Sequence, residues 1–81
     1  MASYSEINRE QMDYVMFALG LTYVVESGDG LVYYQDPQGS PYPVQVDFSR
    51  GSAPISDIEK AIERAGVNFT QFCYHLERFL G

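Results

Sequence analysis

The sequence predicts an α+β domain: a three-stranded antiparallel β-meander with helices packed on one face, in the order α-β-β-β-α-α. Apolar residues recur at helical spacing near both ends of the chain. Between them stand three runs rich in β-branched and aromatic residues, LTYVVE, LVYYQ and YPVQVDF. The runs are joined by SGDG and DPQGS, connections short enough to force antiparallel neighbours. Eighty-one residues allow a single domain, residues 1–81, and a chain this short buries only about 60% of the surface its unfolded state exposes. A hydrophobic fraction of 46%, with 15% aromatic residues, suffices for a core.

Each element has its own local reasons. Ser3 with Glu6, or Ser5 alone, is placed to cap a first helix. From Ile7, the residues Met12, Tyr14, Val15, Met16, Ala18 and Leu19 fall within roughly half of a helical wheel, with Arg9, Glu10 and Asp13 opposite and Phe17 on the polar side. Gly20 supplies the stop. In SGDG, Gly28 and Gly30 permit positive φ and Asp29 favours the same geometry. In DPQGS, Pro37 is preset for the second turn position and Gly39 stands near its end. Pro43 suits the start of a strand, and Val44, Val46 and Phe48 alternate with Gln45 and Asp47, which makes one face buried and one wet. SRGSAP reads as loop. Ser56 and Glu59 form a capping box before IEKAIERA, with Ile58, Ala61, Ile62 and Ala65 on one face and Gly66 as the stop. Asn68 and Gln71 repeat that logic for a last helix carrying Phe69, Phe72, Cys73, Leu76, Phe79 and Leu80 on one side.

Charge and composition exclude several functions. Eleven acidic residues against five basic ones, Arg9, Arg50, Lys60, Arg64 and Arg78, leave a net charge of −6. Nucleic-acid binders present a basic face, whereas these cations are scattered and no two are adjacent. Direct nucleic-acid binding is therefore not expected, and a basic partner protein is. No run approaches the roughly 18 apolar residues of a membrane span, and MASYSEINRE has neither a basic segment nor an apolar run of a secretory leader. With a single cysteine, Cys73, no internal disulfide forms. Together these features lead to the expectation of a cytoplasmic protein.

The residues that could carry chemistry do not assemble into a site. SGDG feeds a strand rather than a helix, so it does not cradle phosphate. Asp29, Asp36 and Asp47 do not follow calcium-loop spacing. One cysteine and one histidine cannot hold zinc alone. Cys73 and His75 do not form a nucleophile–base pair, because residues two apart on a helix project about 200° apart. No cofactor and no catalytic residue is expected. The seven tyrosines say more. Tyr33 and Tyr34 are adjacent in a strand, so one of them points out of the core. Whichever does so stands among Gln45, Asp47 and the turn acids Asp29 and Asp36. Asp29, Tyr33, Tyr34, Asp36, Gln45 and Asp47 are the candidate partner-binding residues, an aromatic anchor with a carboxylate rim.

The order of elements, Gly20-Leu21 after the first helix, and Ala65-Gly66-Val67 running through Phe72 together resemble the HicA family of small bacterial mRNA-interferase toxins, over roughly residues 7 to 76. The resemblance implies a fold related to double-stranded-RNA-binding domains, with a Gly-Ser-His motif at the start of the second strand. Gly28-Asp29-Gly30 occupies that place, and Gly30 stands where the histidine is expected. An RNA-cleaving site needs a proton-transfer group and cations for the phosphate; glycine supplies neither, and Asp29 opposes the phosphate. The leading expectation is thus a small non-enzymatic module that binds a protein, one form of it an inhibitor covering a nucleic-acid-binding surface, as phage anti-defence proteins do. The alternative is a HicA-like ribonuclease using His75.

Overall fold

The computed structural model describes residues 5–38 and 42–80, the side chain of Leu80 excepted. The predictions resting on Ser3 and Gly39, and on the side chain of Leu80, lie outside the described residues. In order, the elements are β1 (Glu6–Asn8), α1 (Arg9–Ala18), β2 (Tyr23–Glu26), β3 (Leu31–Gln35), β4 (Val44–Asp47), β5 (Ser52–Pro54), α2 (Ile55–Arg64) and α3 (Phe69–Leu80). The fold is α+β, with the expected three-stranded antiparallel sheet in the order β2-β3-β4. An additional two-stranded sheet pairs β1 with β5.

That second sheet corrects the reading of both its segments. Glu6 to Asn8 is a strand rather than the start of a helix, and SRGSAP contains a strand rather than only loop. Ile7 lies opposite Ala53 in the antiparallel ladder, and both are buried. Ile7 thus enters the core from a strand. Three-residue strands are too short to show a period, so no sequence pattern announced them. The helix caps move accordingly. Asn8, not Ser5, caps α1: its Oδ1 accepts the Gln11 N–H at 2.9 Å, and Gln11 Oε1 accepts the Asn8 N–H at 3.0 Å. This is a reciprocal capping box. The Ser56–Glu59 box does not form. Pro54 is the N-cap of α2 and contributes no side-chain bond, because β5 runs straight into the helix and places Ser56 inside its first turn. Instead the first N–H of α2, that of Ile55, donates to the Ser5 carbonyl at 2.9 Å. The β1–β5 ladder therefore holds the starts of α1 and α2 side by side.

The helix stops are as expected. Beyond α2, the Val67 N–H donates to the Ile62 carbonyl at 3.0 Å and the Gly66 N–H to the Glu63 carbonyl at 3.0 Å. These are the two bonds of a Schellman motif, which needs the positive φ of 81° that Gly66 adopts. For α3, Asn68 Oδ1 accepts the Gln71 N–H at 3.1 Å.

One hydrophobic cluster joins all layers. Met12, Val15 and Met16 of α1, Ile58 and Ile62 of α2, and Phe72 and Leu76 of α3 meet Val32, Tyr34, Val44 and Val46 of the sheet. The helices thus pack on the sheet face that carries these four strand residues. Phe17, the residue on the polar side of the first helical wheel, is 53% exposed. Tyr14 also stays 42% exposed, against the expectation of burial. Its ring leans on Phe79 of α3, with centroids 4.9 Å apart.

Candidate functional site

Strand parity decides which residues reach the outer face of the sheet. Tyr33 lies directly opposite Val25 of β2 and Gln45 of β4, and Leu31 lies opposite Asp47. These residues alternate with the buried set, so they share the face away from the helices. Tyr33 is the outward tyrosine and is partly exposed. Beside it Tyr23 and Val25 are 57% and 43% exposed. Gln45 and Asp47 are exposed. The outer face is thus an apolar and aromatic strip on β2 and β3, with a polar margin on β4.

Tyr34 does not belong to this surface. It is fully buried, and its hydroxyl donates to Asp13 Oδ1 of α1 at 2.5 Å. Arg9 completes a small network, its Nε donating to Asp13 at 2.9 Å and its Nη1 to Glu26 at 3.0 Å. Burial first, and then the bond to Asp13, raise the Tyr34 phenol well above its ordinary value. The bonds to Asp13 and Glu26 likewise raise the Arg9 guanidinium. A phenol held protonated and a guanidinium held charged do not transfer protons near neutral pH. The network is a polar clasp tying α1 to β2 and β3. Arg9 and Asp13 read as merely solvent-facing from the helical wheel; their i,i+4 spacing was the available signal, and the third partner, Tyr34, is 21 residues away from Asp13.

The acidic residues divide between the two ends of the sheet. Asp29, in the β2–β3 turn, and Asp47, at the end of β4, are near enough to repel each other. Asp36 follows β3 at the opposite end, roughly 15 Å away at ~3.4 Å per extended residue. All three are exposed and each accepts a local hydrogen bond. Asp29 accepts from the Ser27 hydroxyl, Asp36 from the Gln38 N–H at 2.8 Å, and Asp47 from the Ser49 N–H at 2.9 Å. The Ser27 bond lowers the Asp29 carboxyl below the usual carboxylate range despite Asp47, and the Ser49 N–H does the same for Asp47. Both are therefore held ionised, as turn acceptors and as surface charge.

Gly30 has a requirement that turn chemistry alone does not explain. Its φ is 95°, and a Cβ built on it would lie 2.7 Å from the Ser49 Cα and 2.9 Å from the Ser49 N. The backbone after β4 is laid against it, fixed by a 2.9 Å bond from the Phe48 N–H to the Gly30 carbonyl. No side chain, histidine included, fits at this position without moving that backbone. Gly28, by contrast, does not take a positive φ.

The reactive side chains stand apart from this surface. Cys73 is half-buried, and that burial pushes its thiol up, away from the reactive thiolate. His75 stacks edge-on against Tyr74 with ring centroids 5.3 Å apart. Among the described residues no group of three or more His, Cys, Asp or Glu could hold a metal ion. No described helix is long and apolar enough to cross a membrane. No family model, curated protein or solved structure matches the chain.

Proposed function

We propose that the chain is a small non-enzymatic binding module whose outer sheet face recognises a protein with a basic surface, and that it acts as an inhibitor by covering a nucleic-acid-binding site on that protein. The observation that carries this reading is the uncovered outer face. Tyr33 stands at its centre, Tyr23 and Val25 extend it across β2, and Gln45 and Asp47 edge it on β4. Exposed aromatic area is a frequent source of binding energy at interfaces. Carboxylates at both ends, on a chain of net charge −6, would steer a basic partner and raise its association rate. The crowded backbone at Gly30 supports the non-enzymatic side of the reading, since the position at which the HicA resemblance expects a histidine has no room for one.

The test captures a partner from lysate with the immobilised protein and elutes it with heparin or duplex RNA. Elution by polyanion is expected, because partner and nucleic acid would compete for one basic surface. The triple variant Asp29→Lys/Asp36→Lys/Asp47→Lys should keep the fold and lose the partner, mainly through a slower, salt-dependent association. Two results overturn the reading: micromolar binding of the protein itself to generic RNA at about 150 mM salt, or RNA cleavage that His75→Ala abolishes.

A further inference from the structure

The sheet has a second surface whose chemistry is opposite to that of its outer face. A cleft of about 440 Å³ runs between the edge of β4 and α2, lined by Tyr42, Pro43 and Gln45 on one side and Lys60, Ala61 and Arg64 on the other. That volume lies within the ~300–1,000 Å³ of ordinary ligand clefts.

Two independent features of the cleft point to one kind of occupant. The first is backbone parity. The Phe48 N–H bonds the Gly30 carbonyl, and Leu31 lies opposite Asp47. In an antiparallel pair the directly bonded positions alternate, so Val46 with Val32 and Val44 with Tyr34 carry the ladder. The N–H and C=O of Gln45 and Asp47 consequently turn away from β3. β4 is the last strand of its sheet, and among the described residues neither group makes another backbone bond. An open strand edge of this kind is a template for a further strand.

The second feature is charge. Lys60 and Arg64 lie one turn apart on the same flank of α2, and among the described residues neither forms an ion pair. This is notable in a chain with eleven carboxylates. Arg9 is committed to Asp13 and Glu26, and Arg78 sits over the Tyr74 ring at 5.7 Å. Asp57 stands one turn before Lys60 on the same stripe but does not line the cleft. The positive end is therefore the Arg64 end.

We propose that this cleft binds an extended acidic segment of a protein, added as a strand along β4 through Gln45, with its carboxylates on Lys60 and Arg64. The site shares Gln45 with the outer face, here through its backbone, and uses none of that face's carboxylates.

The probe is an end-blocked peptide of alternating valine and glutamate, about eight residues long, titrated into the isotope-labelled protein. Its control is the valine–lysine peptide of equal length. The acidic peptide should shift the amides of Gln45, Asp47, Lys60, Ala61 and Arg64 saturably and slow hydrogen exchange at the Gln45 amide. Lys60→Gln/Arg64→Gln, both at exposed helix positions, should weaken binding by about tenfold or more while the free variant keeps the amide spectrum of the parent fold. Gln45→Pro removes the outward N–H and should weaken peptide binding, read from the shifts of the Ala61 and Arg64 amides. The triple Asp→Lys variant, in which three reversals of two charges each bring the net charge from −6 to about zero, should bind the acidic peptide at least as tightly as the parent, which separates this site from the outer face. The proposal is overturned if millimolar acidic peptide leaves these amides unmoved, if the lysine peptide shifts them equally, or if the shifts fall on Val24 and Glu26 at the β2 edge.

Discussion

The two faces of the three-stranded sheet are made by the same strands and do opposite things. On the inner face Val32, Tyr34, Val44 and Val46 are at most 4% exposed and meet all three helices. On the outer face Tyr23 and Val25 remain 57% and 43% exposed, and Tyr33 and Gln45 stand beside them. Tyr33 and Tyr34 differ by one position and by almost everything else. Tyr34 has surrendered its water and needs Asp13 for its hydroxyl, because a buried polar group without a partner costs about 1–3 kcal/mol. Tyr33 keeps an open side and is free to give area to something else. The stability of this domain is therefore concentrated on one face, and the other can vary or bind without endangering the fold.

Substitutions at the tyrosine pair break the contrast most directly. Tyr34→Ala should cost about 4 kcal/mol, a large part of the stability of a domain this size, and chemical denaturation should show it largely unfolded or with a much lowered midpoint. Tyr34→Phe isolates the clasp and should cost about 1.5 kcal/mol, the worth of a hydrogen bond to a charged group. Equal stability of the phenylalanine variant and the parent would mean that Asp13 and Tyr34 do not tie α1 to the sheet.

Next comes a comparison of two glycines. Both hold positive φ, but the Cβ of an alanine at Gly30 would meet the Ser49 backbone at 2.7 Å, while nothing lies within 4 Å at Gly66. Gly30→Ala should cost about 3 kcal/mol, from strained φ plus a clash that only backbone movement relieves. Gly66→Ala should cost about 1 kcal/mol, from φ alone. If both variants melt at the same temperature, the close approach at Gly30 has no energetic content.

On the outer face Tyr33→Ala should cost about 0.5 kcal/mol, the scale of cross-strand pairs with Val25 and Gln45, yet reduce partner capture sharply. A variant that instead unfolds would erase the distinction between the faces. The smallest effect concerns Asp47. Its carboxyl is lowered in the fold by the Ser49 N–H. A lowered carboxyl stabilises the folded state above its unfolded value of about 3.9, and that contribution disappears as pH falls through the folded value. Asp47→Asn should therefore melt below the parent at neutral pH and together with it near pH ~2. A gap that stays constant across that range would remove the ionised carboxylate as its cause.

The sequence by itself determined the main sheet, the tight connection between β2 and β3, the three helices and the stops of the first two. β-branched runs set the strands, Gly66 set a left-handed stop whose Schellman bonds the structure displays, and alternation through Val44, Gln45, Val46 and Asp47 set the wet side of β4. These are local signals with periods of two or 3.6 residues, or single residues with a backbone property no other shares. It also placed Gln45 and Asp47 on the open face, and it required one of Tyr33 and Tyr34 to point outward without saying which. Only the tertiary structure decided that, by bringing Asp13 within reach of Tyr34, a pairing across 21 residues that no window detects. Only it joined Glu6–Asn8 to Ser52–Pro54, because three-residue strands carry no period and acquire their bonds from each other. It also set Gly30 against Ser49 and Lys60 with Arg64 across from Gln45. Each of these depends on where distant backbone lies, and that is settled when the core closes, by the packing of all the elements together rather than by any one of them.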